Sequence, residues 1–260
     1  MLLQNKNAIV YGAGGSIGRG VALEFAREGA RVFLAGRTPD TLEKVAAEIA
    51  AAGGTADVAV LDAYDEQAVD RHVQVVAEQG GSLDVSLNLA TRGDAQGTPL
   101  LDMTAEHFVR PVTNGLTTNF ITARAAARVM VKQGSGVVLA LNSGSAVGSP
   151  MMGGTGPADA SIDTFIRNLA AEVGPHGVRV LGIWTSGVED ALTPAKLAAV
   201  NPNLQLDEVG LRGLQETLAG MRTLRRSPRV AQVAATAAFL VSDRAAAITG
   251  GFVDVSSGIS

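Results

Sequence analysis

The chain contains no cysteine, which removes disulfides, thiolate metal sites and a cysteine nucleophile together. Histidine is nearly as scarce. His72, His107 and His176 stand apart without ligand spacing, so each reads as a surface or turn residue and no metal site is expected. Aromatic residues make up only 4% of the chain, and no apolar run reaches the ~20 residues that span a bilayer. A net charge of −4 gives no basic footprint for nucleic acid. The opening Met1-Leu2-Leu3-Gln4-Asn5-Lys6 lacks a signal-peptide layout, so a cytoplasmic protein without a membrane or nucleic-acid partner is expected.

What is present is small and aliphatic. There are 31 glycines, and apolar residues make up 47% of the 260, a composition suited to buried parallel strands under closely packed helices. Short apolar runs alternate with helical patterns throughout. They are residues 8–11, 31–35, 57–61, 85–88, 136–141, 178–183 and 252–255. The rhythm predicts one α/β domain over residues 1–260: a Rossmann-type, doubly wound parallel sheet of about seven strands with helices on both faces. Ile17, Val21 and Phe25 form one helical stripe that Gly29 ends, and Thr38-Pro39 reads as an N-cap followed by proline at the first helical position. Residues 188–224 break the rhythm, contain Pro194 and Pro202, and read as a helical excursion placed to cover a ligand.

The first strand leads into Gly12-Ala13-Gly14-Gly15-Ser16-Ile17-Gly18, and a helix follows at once. Small residues there let the backbone approach a pyrophosphate, whose charge the helix dipole favours. With Gly12, Ser16 and Gly18 in its three slots, this loop resembles the Gly-x-x-x-Gly-x-Gly of the short-chain dehydrogenase/reductase family. Further matches are Asp62, Asn88-Leu89-Ala90-Thr91, Asn142-Ser143 and the stretch from Phe239 through Gly251. The resemblance covers essentially the whole chain. It implies a nicotinamide cofactor held by Gly12, Gly14, Ser16, Ile17, Gly18, Arg37, Asp62, Ala63, Asn88, Ala90 and Val188.

At the end of the second strand an acidic residue would select NAD, whereas this chain has Gly36-Arg37. Arg37 can grip a ribose phosphate in bidentate fashion, so NADP(H) is favoured over NAD(H). In the family a Tyr and a Lys four residues later carry the proton chemistry, while a Ser orients the substrate carbonyl and a helix Asn completes a water relay. Ser143 fits the Ser slot. Counted back from Glu172, the Tyr and Lys slots hold Thr155 and Asp159; counted forward from Ser143 with one more loop residue, they hold Gly156 and Ala160. The Asn slot holds Gly115, with Asn114 beside it.

Neither register supplies the Tyr and Lys. Asp159 reads as an ordinary carboxylate near a helix N-terminus, or as a buried acid. Of the lysines, only Lys196 is placed to approach the nicotinamide end. Three readings follow: an NADP(H)-dependent oxidoreductase with a substituted active site, acting on a small molecule that needs little proton assistance such as a polarised double bond or an imine; an inactive nucleotide- or ligand-binding protein; and a cyclase or isomerase on the same fold. By resemblance, a homotetramer or homodimer would form through the helices containing residues 117–131 and 161–173.

Overall fold

A computed structural model describes residues 1–258. Each apolar run becomes a strand: β1 (Asn7–Tyr11), β2 (Arg31–Gly36), β3 (Thr55–Val60), β4 (Val85–Asn88), β5 (Gly136–Asn142), β6 (Val178–Trp184) and β7 (Phe252–Asp254). The strands form one parallel sheet in the order β3-β2-β1-β4-β5-β6-β7. The order reverses between β1 and β4, and that switch point opens a crevice at the carboxyl ends of the strands.

Helices α1 (Ser16–Arg27), α2 (Pro39–Ala51), α3 (Glu66–Gly80), α4 (Ala105–Gln133), α5 (Thr155–Val173), α6 (Pro194–Val200), α7 (Glu208–Gly220) and α8 (Val230–Val241) complete the chain. Alternation along the strands sends side chains to opposite faces and so to two cores. On one face Ala8, Val10, Val32 and Leu34 pack with Val21 and Phe25 of α1, Val45 and Ile49 of α2, and Ala234 and Ala238 of α8. On the other, Ile9, Tyr11 and Phe33 pack with Val69 and Val73 of α3, Ala126 and Met130 of α4, and Ile162 and Ile166 of α5. Sheets covered on both faces need near-continuous apolar strands, and β1 and β4 are buried along their whole length.

Two local expectations are corrected. Thr38 occupies the N-cap of α2 without a side-chain capping bond; its carbonyl instead accepts from Thr41 Oγ1 at 2.8 Å. His72 is neither a surface nor a turn residue. It lies in α3 with Nε2 buried and unpartnered, packed edge-on against Phe33 with ring centroids 6.4 Å apart. Burial disfavours the imidazolium and pushes its pKa down to about 4. Tyr11 ends β1, as its apolar run predicts, and burial, reinforced by the charge of Asp70, pushes its phenol pKa well up.

Candidate active site

The turn after β1 is shaped by backbone crowding. Gly12 has φ +75°, and a Cβ there would lie 2.5 Å from the Leu89 carbonyl oxygen; one on Gly18 would lie 2.2 Å from the Gly12 oxygen. Only glycine fits either place. The helix that follows starts bare. Its N-cap, Gly15, offers no side-chain bond and its first turn carries no acid, whereas α3, α4, α6 and α7 are capped by Asp65, Thr104, Thr193 and Asp207. Free N–H groups and the positive end of the dipole therefore face the crevice. Lys196 of α6 reaches across to donate to Ser16 Oγ and to the Ala191 carbonyl at 3.0 Å, and burial lowers its pKa.

Two cavities meet at this turn and share Gly12, Gly15, Leu89, Ala90 and Thr91. One, of about 300 Å³, is lined by Gly14, Arg37, Asp62, Ala63 and Tyr64. Arg37 is exposed on its rim and makes no ion pair or side-chain hydrogen bond with the described residues. Asp62 Oδ1 accepts from the Tyr64 amide at 3.0 Å. The second cavity, of about 380 Å³, is lined by Ser16, Ile17, Gly18, Asn88, Arg92, Asp94, Gly115, Ser143 and Lys196. Asn88 anchors the loop after β4, accepting from the Ala90 amide at 3.0 Å and donating to Thr118 Oγ1 at 3.2 Å. Val188 is buried and lines neither cavity.

Beneath the second cavity lies a closed polar cluster. Asp159, fully buried in α5, takes Arg92 Nη1 on Oδ1 at 2.6 Å. Its Oδ2 takes the Ser143 hydroxyl at 2.6 Å and the Ser143 and Ser145 amides at 3.2 and 2.8 Å. Its donors thus come from the loop after β5 and from Arg92, so it is not an ordinary carboxylate at a helix N-terminus. Arg92 Nε lies 3.2 and 3.0 Å from the two oxygens of Asp94, and Thr155 Oγ1 donates to Asp94 Oδ1 at 2.8 Å. Burial opposes the Arg92 charge, but Asp94 and Asp159 outweigh it and leave the pKa raised. Asn142 Nδ2 braces the base of the cluster, donating to the Asp159 carbonyl and, at 2.8 Å, to Asp163 Oδ1.

Thr155 and Asp159 face this cluster, whereas Gly156 and Ala160 bring no side-chain polar group to it. The Ser143 hydroxyl has spent its proton on Asp159 and also lies 2.8 Å from Ser145 Oγ. Gly115 explains how Arg92 fits: a Cβ at that position would lie 3.1 Å from Arg92 Cδ and 3.2 Å from Ile162 Cδ1. Reading the sequence missed Arg92 and Asp94. The available signal was an acid at one family slot and a glycine at another, which together call for a cation whose stem needs the vacated space. Among the described residues no group of His, Asp or Glu could hold a metal ion, and no helix is long and apolar enough to cross a membrane.

A crevice at the switch point of a doubly wound sheet, entered by a bare helix N-terminus, defines a dinucleotide-binding class of fold. The profile of the family described as Enoyl-(Acyl carrier protein) reductase matches residues 12–260. The chain is 33% identical to L-rhamnose 1-dehydrogenase (NAD(P)(+)) of Azotobacter vinelandii, covering 100% of this chain and 98% of that protein. Solved structures agree. NAD+-bound xylitol dehydrogenase superposes with a TM-score of 0.87 at 25% identity, covering 99% of this chain and 100% of the other. A 7α-hydroxysteroid dehydrogenase complexed with NADH and 7-oxo glycochenodeoxycholic acid gives 0.83 at 27%, covering 99% and 95%. The chain belongs to the short-chain dehydrogenase/reductase family of oxidoreductases.

Proposed function

We propose that residues 1–260 act as one NADP(H)-dependent oxidoreductase domain whose proton-donating pair has been replaced by Thr155 and Asp159. The observation that carries this reading is the crevice itself. It runs from the unpaired Arg37, past the bare start of α1, to the Arg92–Asp159 cluster. Arg37 would take the ribose phosphate and Asp62 and Ala63 the adenine end, while Gly14, Ser16, Ile17, Gly18 and Lys196 would hold the pyrophosphate. Asn88 and Ala90 would floor the ribose. The placement of Val188 away from both cavities argues against a contact from that residue. The nucleotide, once bound, supplies hydride; NAD(P)(+) and NADH stand in the names of a relative and of a structural neighbour.

The chain's own residues set the limits of the chemistry. Thr155 is buried with its hydroxyl turned to Asp94, so it is no substitute for a tuned phenol. Loss of a general acid costs about 10²–10⁴ in rate, which selects small molecules that need little proton assistance. A second reading, nucleotide binding without turnover, is favoured by one fact: the Ser143 and Thr155 protons are both directed at carboxylates. Assembly as a homodimer or homotetramer through α4 and α5 is supported by Phe120, which is 43% exposed and stacked edge-on against Phe165 across the two helices.

Calorimetric titration of ligand-stripped protein with NADPH and, separately, NADH tests the proposal. NADPH should bind more tightly; folded protein that binds neither nucleotide refutes it.

A further inference from the structure

Thr91 and Asn119, on the wall of the second cavity, can serve a ligand as donor or as acceptor, so neither chooses between substrates. The one-sided groups do. Arg92 offers Nη2, which has no partner among the described residues, while its Nε and Nη1 are spent on Asp94 and Asp159. Against it stand Asp94 Oδ2, which accepts from Arg92 Nε at 3.0 Å on a side chain that is still 17% exposed, and Asn142 Oδ1, which is buried and has no donor. Turning the Asn142 amide round would not cure this, because its Nδ2 already faces two acceptors, Asp163 Oδ1 at 2.8 Å and the Asp159 carbonyl at 3.3 Å. This wall of the cavity thus keeps the negative end of an amide dipole uncompensated.

The charges lean the same way. Asp94, Asp159 and Asp163 are set in or beneath this end of the cavity against the one guanidinium of Arg92. Asp163 is buried and accepts from neutral donors, Asn142 Nδ2 and, at 3.3 Å, Trp184 Nε1. Arg110 stands behind the loop after β4, donating Nε to the Gly93 carbonyl at 2.9 Å, and does not line the cavity. Lys196 is held at the phosphate-loop end by Ser16 and Ala191. Such surroundings favour a ligand that is positive and that donates hydrogen bonds.

We propose that the substrate is a protonated imine, whose N–H is accepted by Asp94 Oδ2 while the neighbouring carbon is reduced. This inference rests on the nucleotide-binding reading above and narrows its substrate class. The iminium carbon takes hydride from the reduced nicotinamide dinucleotide, and the C=N π pair becomes the nitrogen lone pair, leaving an amine and the oxidised dinucleotide. No proton moves in that step, because the substrate carries it in, which suits a site where Thr155 gives its hydroxyl to Asp94 and no tuned phenol is present. A ketone fits poorly. Its oxygen is an acceptor among acceptors, and its alkoxide would develop negative charge beside carboxylates already in excess. An alcohol donates, yet along with hydride it must shed a proton, and its product is again a bare acceptor.

The experiment offers the native protein NADPH with 3,4-dihydroisoquinoline, its N-methyl cation and 1-tetralone. Both nitrogen compounds should be reduced and the ketone left, and cofactor deuterated at the transferring position should label the carbon of the C=N bond. The N-methyl cation, charged at every pH, should react at a rate flat across about pH 6–9, since no histidine lines the cavity. The parent imine should lose kcat/KM as the free compound loses its proton, with kcat falling only at higher pH because the carboxylates hold the bound cation protonated. Asp94→Asn should lower kcat/KM for the parent imine by about 10–10²-fold, the value of one hydrogen bond to a charged group, with NADPH affinity unchanged.

A binding readout stands apart from turnover. With NADPH bound, protonated 1,2,3,4-tetrahydroisoquinoline should be held by the native protein, and isochroman, the same shape with a neutral ring oxygen, should bind about tenfold or more weakly in calorimetry, a gap that Asp94→Asn should narrow. Ketone reduced in preference to the iminium, neither reduced while NADPH binds, or isochroman bound as tightly as the ammonium ion overturns the assignment. Failure of NADPH itself to bind refutes the underlying nucleotide reading instead.

Discussion

Acid should destabilise this protein through one imidazole. His72 has its ordinary pKa of 6.5 when unfolded and about 4 when folded, because burial beside Phe33 leaves Nε2 without a partner for a proton. The neutral form belongs to the fold, so this contribution is fully present above about pH 6.5, falls as the unfolded chain takes up a proton, and levels off below about pH 4. The whole shift of about 2.5 units corresponds to about 3 kcal/mol. At pH 5 the unfolded imidazole is nearly all protonated and the folded one mostly neutral, so the loss there is about 2 kcal/mol relative to pH 7.5. Urea unfolding followed by circular dichroism at those two pH values, for the native protein and His72→Gln, isolates the term, since the other titrating groups are common to both. The native protein should lose about 2 kcal/mol more than the variant. Equal losses would refute the account and place His72 in a hydrated setting.

Other changes read out the crevice. Arg37→Glu should weaken NADPH by about 10²-fold or more and NADH by far less, since it replaces a bidentate phosphate donor by a like charge; equal effects in calorimetry would return Arg37 to the surface. Lys196→Ala should weaken both nucleotides alike, by about tenfold, as expected of a pyrophosphate contact. Asp159→Ala should cost about 1–3 kcal/mol in unfolding free energy, because it leaves the Ser143 and Ser145 amides without their acceptor while Arg92 keeps Asp94. Gly115→Asn should cost about 1–3 kcal/mol through overpacking against Arg92 and Ile162, and relief by adding Arg92→Ala would identify the clash as the cause.

The fold was legible because its signals are local. Each strand is a short apolar run between turn residues, and β3, which starts two residues before its apolar run at Thr55, is the half-exposed edge strand whose boundary apolarity marks least well. The phosphate turn was legible for the same reason, since strand, glycines and helix are contiguous. The cluster at the far end was not. Arg92 and Asp159 lie 67 positions apart, and only the register of α5 against the loop after β4 makes them partners. His72 was misjudged because a lone histidine in a polar helix gives no sign of which face it turns to the sheet. Asp159 was read by its place in α5, while its environment is set by the loop at residues 143–145.

The exchange of space between Gly115 and Arg92 also bears on descent. If an ancestor carried the family's Asn and Lys at positions 115 and 159, no one-step path leads back to it from the present chain. Restoring the amide alone drives it into the Arg92 stem, restoring the ammonium alone sets two cations side by side, and deleting Arg92 alone strands Asp159. Each single reversal is expected to cost stability, so the three positions are coupled and the substituted cluster would behave as a ratchet. Lineages that crossed it are expected to keep arginine, glycine and aspartate together or to lose all three.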